Sequence, residues 1–222
     1  MGTVDIVTKE YMRENAVFAD AFNYLIYGGK KVIDPAGLTE VDTAASAVGK
    51  KDALQKYRDV LKAAVIKQDE KMSYVLLGVE NQTDVHYAMP VRLLHEKGID
   101  YYNQWKKLQK DHKNCNDLKD NAERLSGMKK TDHFYPVLQI VIYFGQEHWR
   151  AAFKMDDLTG ANDFPEELQK LFSETPMLLF EVYYFKNIHW FQTDLQQVCG
   201  FLQRTNDKTA LQEYVKANEE VF

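Results

Sequence analysis

Tyr74-Val75-Leu76-Leu77-Gly78-Val79-Glu80-Asn81-Gln82 is an apolar run closed by polar residues. Its length and β-branched content predict a buried strand rather than a helix. Side chains alternate across a strand, so Glu80 and Gln82 belong to one face and Val79 and Asn81 to the other. A carboxylate that ends such a strand is costly to bury unless a cation meets it. Upstream, Tyr57, Val60, Leu61, Val65 and Ile66 make a second apolar segment whose pattern fits strand or helix. The polar link Gln68-Asp69-Glu70-Lys71 favours a strand and a hairpin connection. If the two strands pair, Asp59 can lie beside Glu80.

Two ionised carboxylates about 4 Å apart repel by roughly 4 kcal/mol at an effective dielectric near 20. Such a pair either shares a proton or holds a divalent cation, and an oxygen-only ligand set suits Mg²⁺. The spacing equally allows a solvated edge in which Asp59 pairs with Arg58 or a lysine. Glu14 sits at the start of a predicted helix from about Lys9 to Tyr27, whose stripe is Val17, Phe18, Ala21, Phe22 and Leu25 and which Gly28-Gly29 stops. Two readings apply to Glu14: an acid that complements the helix dipole, or one that looks into the strand site.

Lys31-Val32-Ile33 is a candidate short strand. A long helix is expected from about Tyr87 to Lys110, with Pro90 in its first turn and Leu93, Leu94, Tyr101 and Trp105 as buried candidates. Lys110 to Asp132 reads as a charged, solvated insertion with a helical piece around Asp117 to Leu125. Further strands are expected over Pro136–Phe144 and Met177–Phe185. Asp163 and Pro165 look like the cap and first residue of a short helix through Phe172. Helices follow near Asp194–Leu202 and Ala210–Val221. The elements suit a central sheet flanked by helices, with residues 1–192 as one domain and 193–222 as a helical extension.

The chain has 222 residues, 45% hydrophobic and 27% charged, which is ordinary globular composition. A formal charge of -5 gives no global attraction to DNA or anionic lipid, so a nucleic-acid contact must be local. Lys106-Lys107 and Lys129-Lys130 are candidate phosphate contacts, or solvated surface. Two distant cysteines, the lack of a secretory leader and the lack of a long apolar run predict a soluble, cytoplasmic protein without a membrane partner. Gly2 does not read as a myristoylation site, because Ile6 stands where that motif wants Ser or Thr. Zinc-protease, P-loop, dinucleotide and nucleophile-elbow motifs are absent. His86 could line the mouth near Gln82, though such a histidine is more often an ordinary core or surface residue.

Phe18-Ala19-Asp20-Ala21-Phe22-Asn23-Tyr24 with Gly28, Tyr57-Arg58-Asp59-Val60, and Leu77 to Gln82 through Tyr87-Ala88-Met89-Pro90-Val91-Arg92 resemble the Rpn family of recombination-promoting nucleases and transposase-like proteins. So does Pro136 to Tyr143 with Gly145 and Trp149. That family lies in the PD-(D/E)xK nuclease superfamily. The resemblance implies an α/β restriction-endonuclease-like core, a central mixed sheet flanked by helices, and metal-dependent DNA cleavage. It implies that Asp59 and Glu80 bind Mg²⁺ (or Mn²⁺) with the backbone carbonyl of Asn81, that Glu14 is the helix acid, and that Gln82 stands in place of the usual lysine. Glutamine has no charge but can donate and accept hydrogen bonds, so weak activity or a compensating cation is expected, Lys62 being a candidate if its face points inward. DNA is the expected partner, and a homodimer is compatible with cutting both strands. The rival readings are a non-catalytic DNA- or protein-binding module on the same fold, and a metal-free hydrolase using the Asp59/Glu80 dyad.

Overall fold

A computed structural model describes residues 8, 10–41, 60–68, 71–172 and 175–221. Helix α1 (Asn15–Tyr27) buries Val17, Phe18, Ala21 and Phe22 and ends at Gly28, whose φ of 60° lies in the left-handed region. The amide N–H groups of Gly28 and Gly29 close the last turn on Tyr24 O and Asn23 O. One continuous helix from Lys9 does not form, because Glu14 has extended backbone (φ -63°, ψ 125°) and separates the helical residues at 10–13 from α1. Lys31-Val32-Ile33 is not a strand either. Its ladder is replaced by a side chain: Asn23 accepts from the N–H groups of Val32 (3.0 Å) and Ile33 (2.8 Å) and donates to Ile33 O (2.9 Å).

The protein is an α/β fold built on a five-stranded mixed sheet in the order β1-β2-β3-β4-β5, an arrangement consistent with a restriction-endonuclease-like core. β1 (Thr39–Glu40), β2 (Val60–Gln68) and β3 (Lys71–Gln82) are antiparallel neighbours. β4 (Val137–Tyr143) runs parallel to β3, and β5 (Leu178–Glu181) parallel to β4. β3 extends the apolar run of the sequence by three residues at its start. β5 is shorter than the expected Met177–Phe185, because the chain turns into a 3-10 helix at Val182–Tyr184.

Strand alternation divides the sheet cleanly. Val60, Ala64, Leu77, Val79, Ile140 and Ile142 pack with α1 in the main core. The other face, with Leu61, Leu76, Val137, Val141 and Tyr143, is covered by α2 (Met89–Cys115), which crosses from β3 to β4. Pro90 sits in its first turn, where no amide donor is needed. The inner stripe of α2 is Met89, Leu93, Glu96 and Asp100. Leu94 falls off that stripe and is exposed, contrary to expectation, since one residue is about 100° of helix. The stripe thus turns from apolar to acidic as it passes over the sheet.

α3 (Asn121–Ser126) lies in the charged insertion, capped by the Asp120 carboxylate on Glu123 N–H. α4 (Asp156–Thr159) and α5 (Glu166–Phe172) occupy the crossover from β4 to β5. Asp163 lies in a 3-10 turn, Ala161–Asp163, rather than capping α5. α6 (Leu195–Leu202) and α7 (Lys208–Ala217) finish the chain, and Leu195 and Cys199 of α6 join the α1-side core. No helix among the described residues is long and apolar enough to cross a membrane.

Candidate functional site

Three parallel strands present their carboxyl ends together, the place where open α/β sheets bind ligands. The register sets Glu80, Val141 and Leu179 in one row across β3, β4 and β5, and Gln82, Tyr143 and Glu181 in the next. All six positions belong to the face under α2. Glu80 is only 1% exposed. The cation that meets it is Arg92 of α2, whose Nη2 donates to Glu80 Oε2 at 2.5 Å. The same guanidinium donates through Nε to Glu96 Oε1 (3.1 Å), and Glu96 Oε2 accepts from Gln139 Nε2 of β4 (3.1 Å). Arg92 therefore bridges two buried carboxylates and ties the end of β3 to the first turns of α2. Charge-assisted bonds of this kind fix a carboxylate's orientation as well as its charge.

Gln82 is half-buried on the same face as Glu80, and its backbone carbonyl accepts from Phe144 N–H (2.7 Å). Beside it, burial raises the Tyr143 phenol above its usual range, helped by the nearby charges of Asp84, Glu181 and Glu147. Glu181 accepts from Trp149 N–H (2.5 Å) and lies 3.2 Å from His148 Nδ1. The His148 ring stacks on Tyr184 at 3.6 Å, and these residues line a cleft of about 440 Å³ at the β5 edge. Glu181 carries the same sequence signal as Glu80, an acid closing an apolar strand, and the sequence reading missed it.

Asp59 lies outside the described residues, so its pairing with Glu80 does too. The Asn81 side chain is buried on the opposite face from Glu80, so of this residue only the backbone lies at the strand end beside it. Glu14 is the exposed N-cap residue of α1, the helix that packs on the sheet face opposite to the one carrying Glu80. Its position suits the helix-dipole reading. Lys62 is 1% exposed, but it stands opposite Leu77 on the α1 face. There its ammonium donates to Arg13 O and Asn15 Oδ1 and lies over the Phe18 ring, and burial lowers its pKa. Lys62 thus points inward on the wrong side to serve Glu80. His86 is exposed in the turn before α2.

The carboxylates of Glu80 and Glu181 at the strand ends are donors of the kind a hard divalent ion takes. Among the described residues, no group of three or more His, Cys, Asp or Glu side chains gathers to hold a metal ion. No family model, curated protein or solved structure matches the chain.

Proposed function

We propose that the protein is a divalent-metal-dependent DNA endonuclease. The observation that carries this reading is Glu80, fully buried at the carboxyl end of a parallel strand, oriented by Arg92 and followed on the same face by Gln82. A carboxylate held at 1% exposure in one orientation is preorganised for a ligand, since its desolvation cost is met before anything binds. In this reading Glu80 and Asp59 hold Mg²⁺ or Mn²⁺ with the Asn81 carbonyl. The ion supplies a Lewis acid that offsets charge on the phosphate and lowers the pKa of a bound water. Arg92 keeps the Glu80 carboxylate aimed and brings to it the positive charge that Gln82 lacks. Gln82, able to donate and accept, orients water or a phosphate oxygen. Cleavage of both strands calls for two such sites, hence a second copy of the chain. Two free cysteines, one exposed and one buried, suit a reducing cytoplasm.

One observation favours a second reading, a non-catalytic binding module on the same fold. Arg92 already occupies Glu80 Oε2 and also engages Glu96, so the trio serves equally as a structural ion-pair network. Calorimetric titration with Mn²⁺ separates the two. The nuclease reading predicts a binding isotherm that weakens at least about tenfold in Glu80→Gln, equivalent to about 1.4 kcal/mol. Absence of any Mn²⁺ or Mg²⁺ binding in protein that still binds DNA selects the module.

A further inference from the structure

α2 outruns the sheet it covers. Asp100 is its last buried residue, and the helix continues to Cys115, about 22 Å at 1.5 Å per residue. Residues 116–135 return alongside it, and the two limbs are held by polar bonds rather than by an apolar core. Trp105 Nε1 and Gln109 Nε2 both donate to Ser126 O (2.8 and 3.0 Å). The Gln104 side chain bonds Tyr135 at its carbonyl (3.1 Å) and its amide N–H (2.7 Å). His112 bridges Asp117 and Asp132, 2.8 Å from each. The result is a braced, solvent-facing arm.

Its charges are sorted. Residues 106–133 hold eight Lys or Arg against five Asp or Glu, a net +3 within a chain of -5, which leaves -8 elsewhere. Four of the five acids are engaged inside the arm. Asp117 pairs with Lys129, Asp132 binds Lys129 N–H and His112, Asp120 caps α3, and Glu123 accepts from Lys119 N–H. Among the described residues, Lys129 is the sole cation of the eight in an ion pair. Lys106, Lys107, Lys110 and Lys113 are exposed along one stretch of α2, and Lys106 rests against the Trp105 and Tyr102 rings. Internal acids and outward cations make a positive surface on an acidic protein. A solvated helix balanced for solubility would pair or intersperse its signs.

We infer that this arm is the surface that meets the phosphate backbone of duplex DNA, through Lys106, Lys107, Lys110 and Lys113. The inference rests on DNA being the ligand of the proposed function. Lys106 lies 14 residues, about 21 Å, along α2 from Arg92. A duplex running beside the helix covers that distance in roughly six base-pair steps of about 3.4 Å. Lysine contacts of this kind carry no sequence preference; they add affinity and fix orientation.

The test is fluorescence anisotropy of a labelled duplex in EDTA, which measures binding without cleavage, over a range of salt. Wild type is compared with the Lys106→Glu/Lys107→Glu/Lys110→Glu/Lys113→Glu variant and with the same four positions changed to Gln, circular dichroism checking that each folds. The expected result is a Kd raised at least about tenfold in both, and a log Kd against log salt slope reduced by about 3 to 4, near 0.9 per lost phosphate contact. Unchanged affinity and slope overturn the inference, as does wild type that binds no duplex. Loss of binding to phosphatidylserine vesicles with DNA binding intact overturns it in favour of a membrane surface. Metal-dependent nicking by wild type with no effect of the arm variants defeats the arm alone. An arm effect on binding without metal-dependent nicking defeats the nuclease reading alone.

Discussion

Arg92 decides how Glu80 can be buried at all. Removing the guanidinium from between two buried carboxylates costs about 3–5 kcal/mol, so urea unfolding of Arg92→Ala should show that loss, with Arg92→Lys falling between it and wild type. Arg92→Ala should also weaken Mn²⁺ binding, because Glu80 loses its fixed orientation. Gly145 is a second sharp test. A Cβ there would run into the Tyr143 phenol, so Gly145→Ala should cost about 1–3 kcal/mol by thermal or urea melts. The sequence exposed Glu80 and Gln82 readily, because alternation on a strand is a local rule. It did not single out Arg92, whose partnership depends on how a helix twelve residues downstream lies over the sheet. Lys62 misled for a related reason: two residues from Val60 it shares the α1 face, and its parity relative to Glu80 follows only once the β2–β3 register is known.

The arm on α2 is an element held by charge, and its stability should follow pH. His112 has its pKa raised above 6.5 by hydrogen bonds to Asp117 and Asp132. Its contribution is therefore complete below about pH 6.5 and fades as pH climbs through the raised value. Asp117 and Asp132 are lowered below 3.8, Asp117 chiefly by Lys129 and Asp132 chiefly by the Lys129 N–H. Their contribution is present above that value and is lost as pH falls through the depressed one. Protection of the Trp105 indole, which donates to Ser126 O, against hydrogen exchange, taken relative to the free indole at the same pH, should be greatest between those limits and smaller on the alkaline side. His112→Gln should flatten the alkaline change; an unaltered profile would show that His112 does not brace the arm. The long helix and its proline start were legible from the 3.6-residue pattern, whereas its true inner stripe was not. Glu96 and Asp100 continue the stripe as acids, and hydrophobic periodicity is blind to them.

At the scale of the whole molecule, a buried acid of α1 adds polar anchoring to the apolar contacts that hold the C-terminal segment. Asp20, 4% exposed, accepts from Gln192 N–H (2.7 Å), Thr193 N–H (2.8 Å) and Thr193 Oγ1 (2.7 Å). Asp20→Ala leaves those donors buried without their acceptor and should cost about 2–3 kcal/mol, read as a lower urea midpoint and as faster proteolysis after residue 190. The α/β class and the order of the larger elements were readable because β3, β4 and α2 announce themselves locally, whereas the two-residue β1 carries no such pattern and Lys31-Val32-Ile33 carries one without forming a strand. The division of the sheet into an α1 face and an α2 face was not, and it is this division that puts Lys62 on the face opposite Glu80. Nicking of supercoiled plasmid under single-turnover conditions tests the chemistry of the strand end most directly. With Mg²⁺ or Mn²⁺ the wild type should convert plasmid to the open circle, and Glu80→Ala and Asp59→Ala should each slow it by at least about a hundredfold, near 2.7 kcal/mol of transition-state stabilisation. Equal nicking by wild type and both variants would contradict the account.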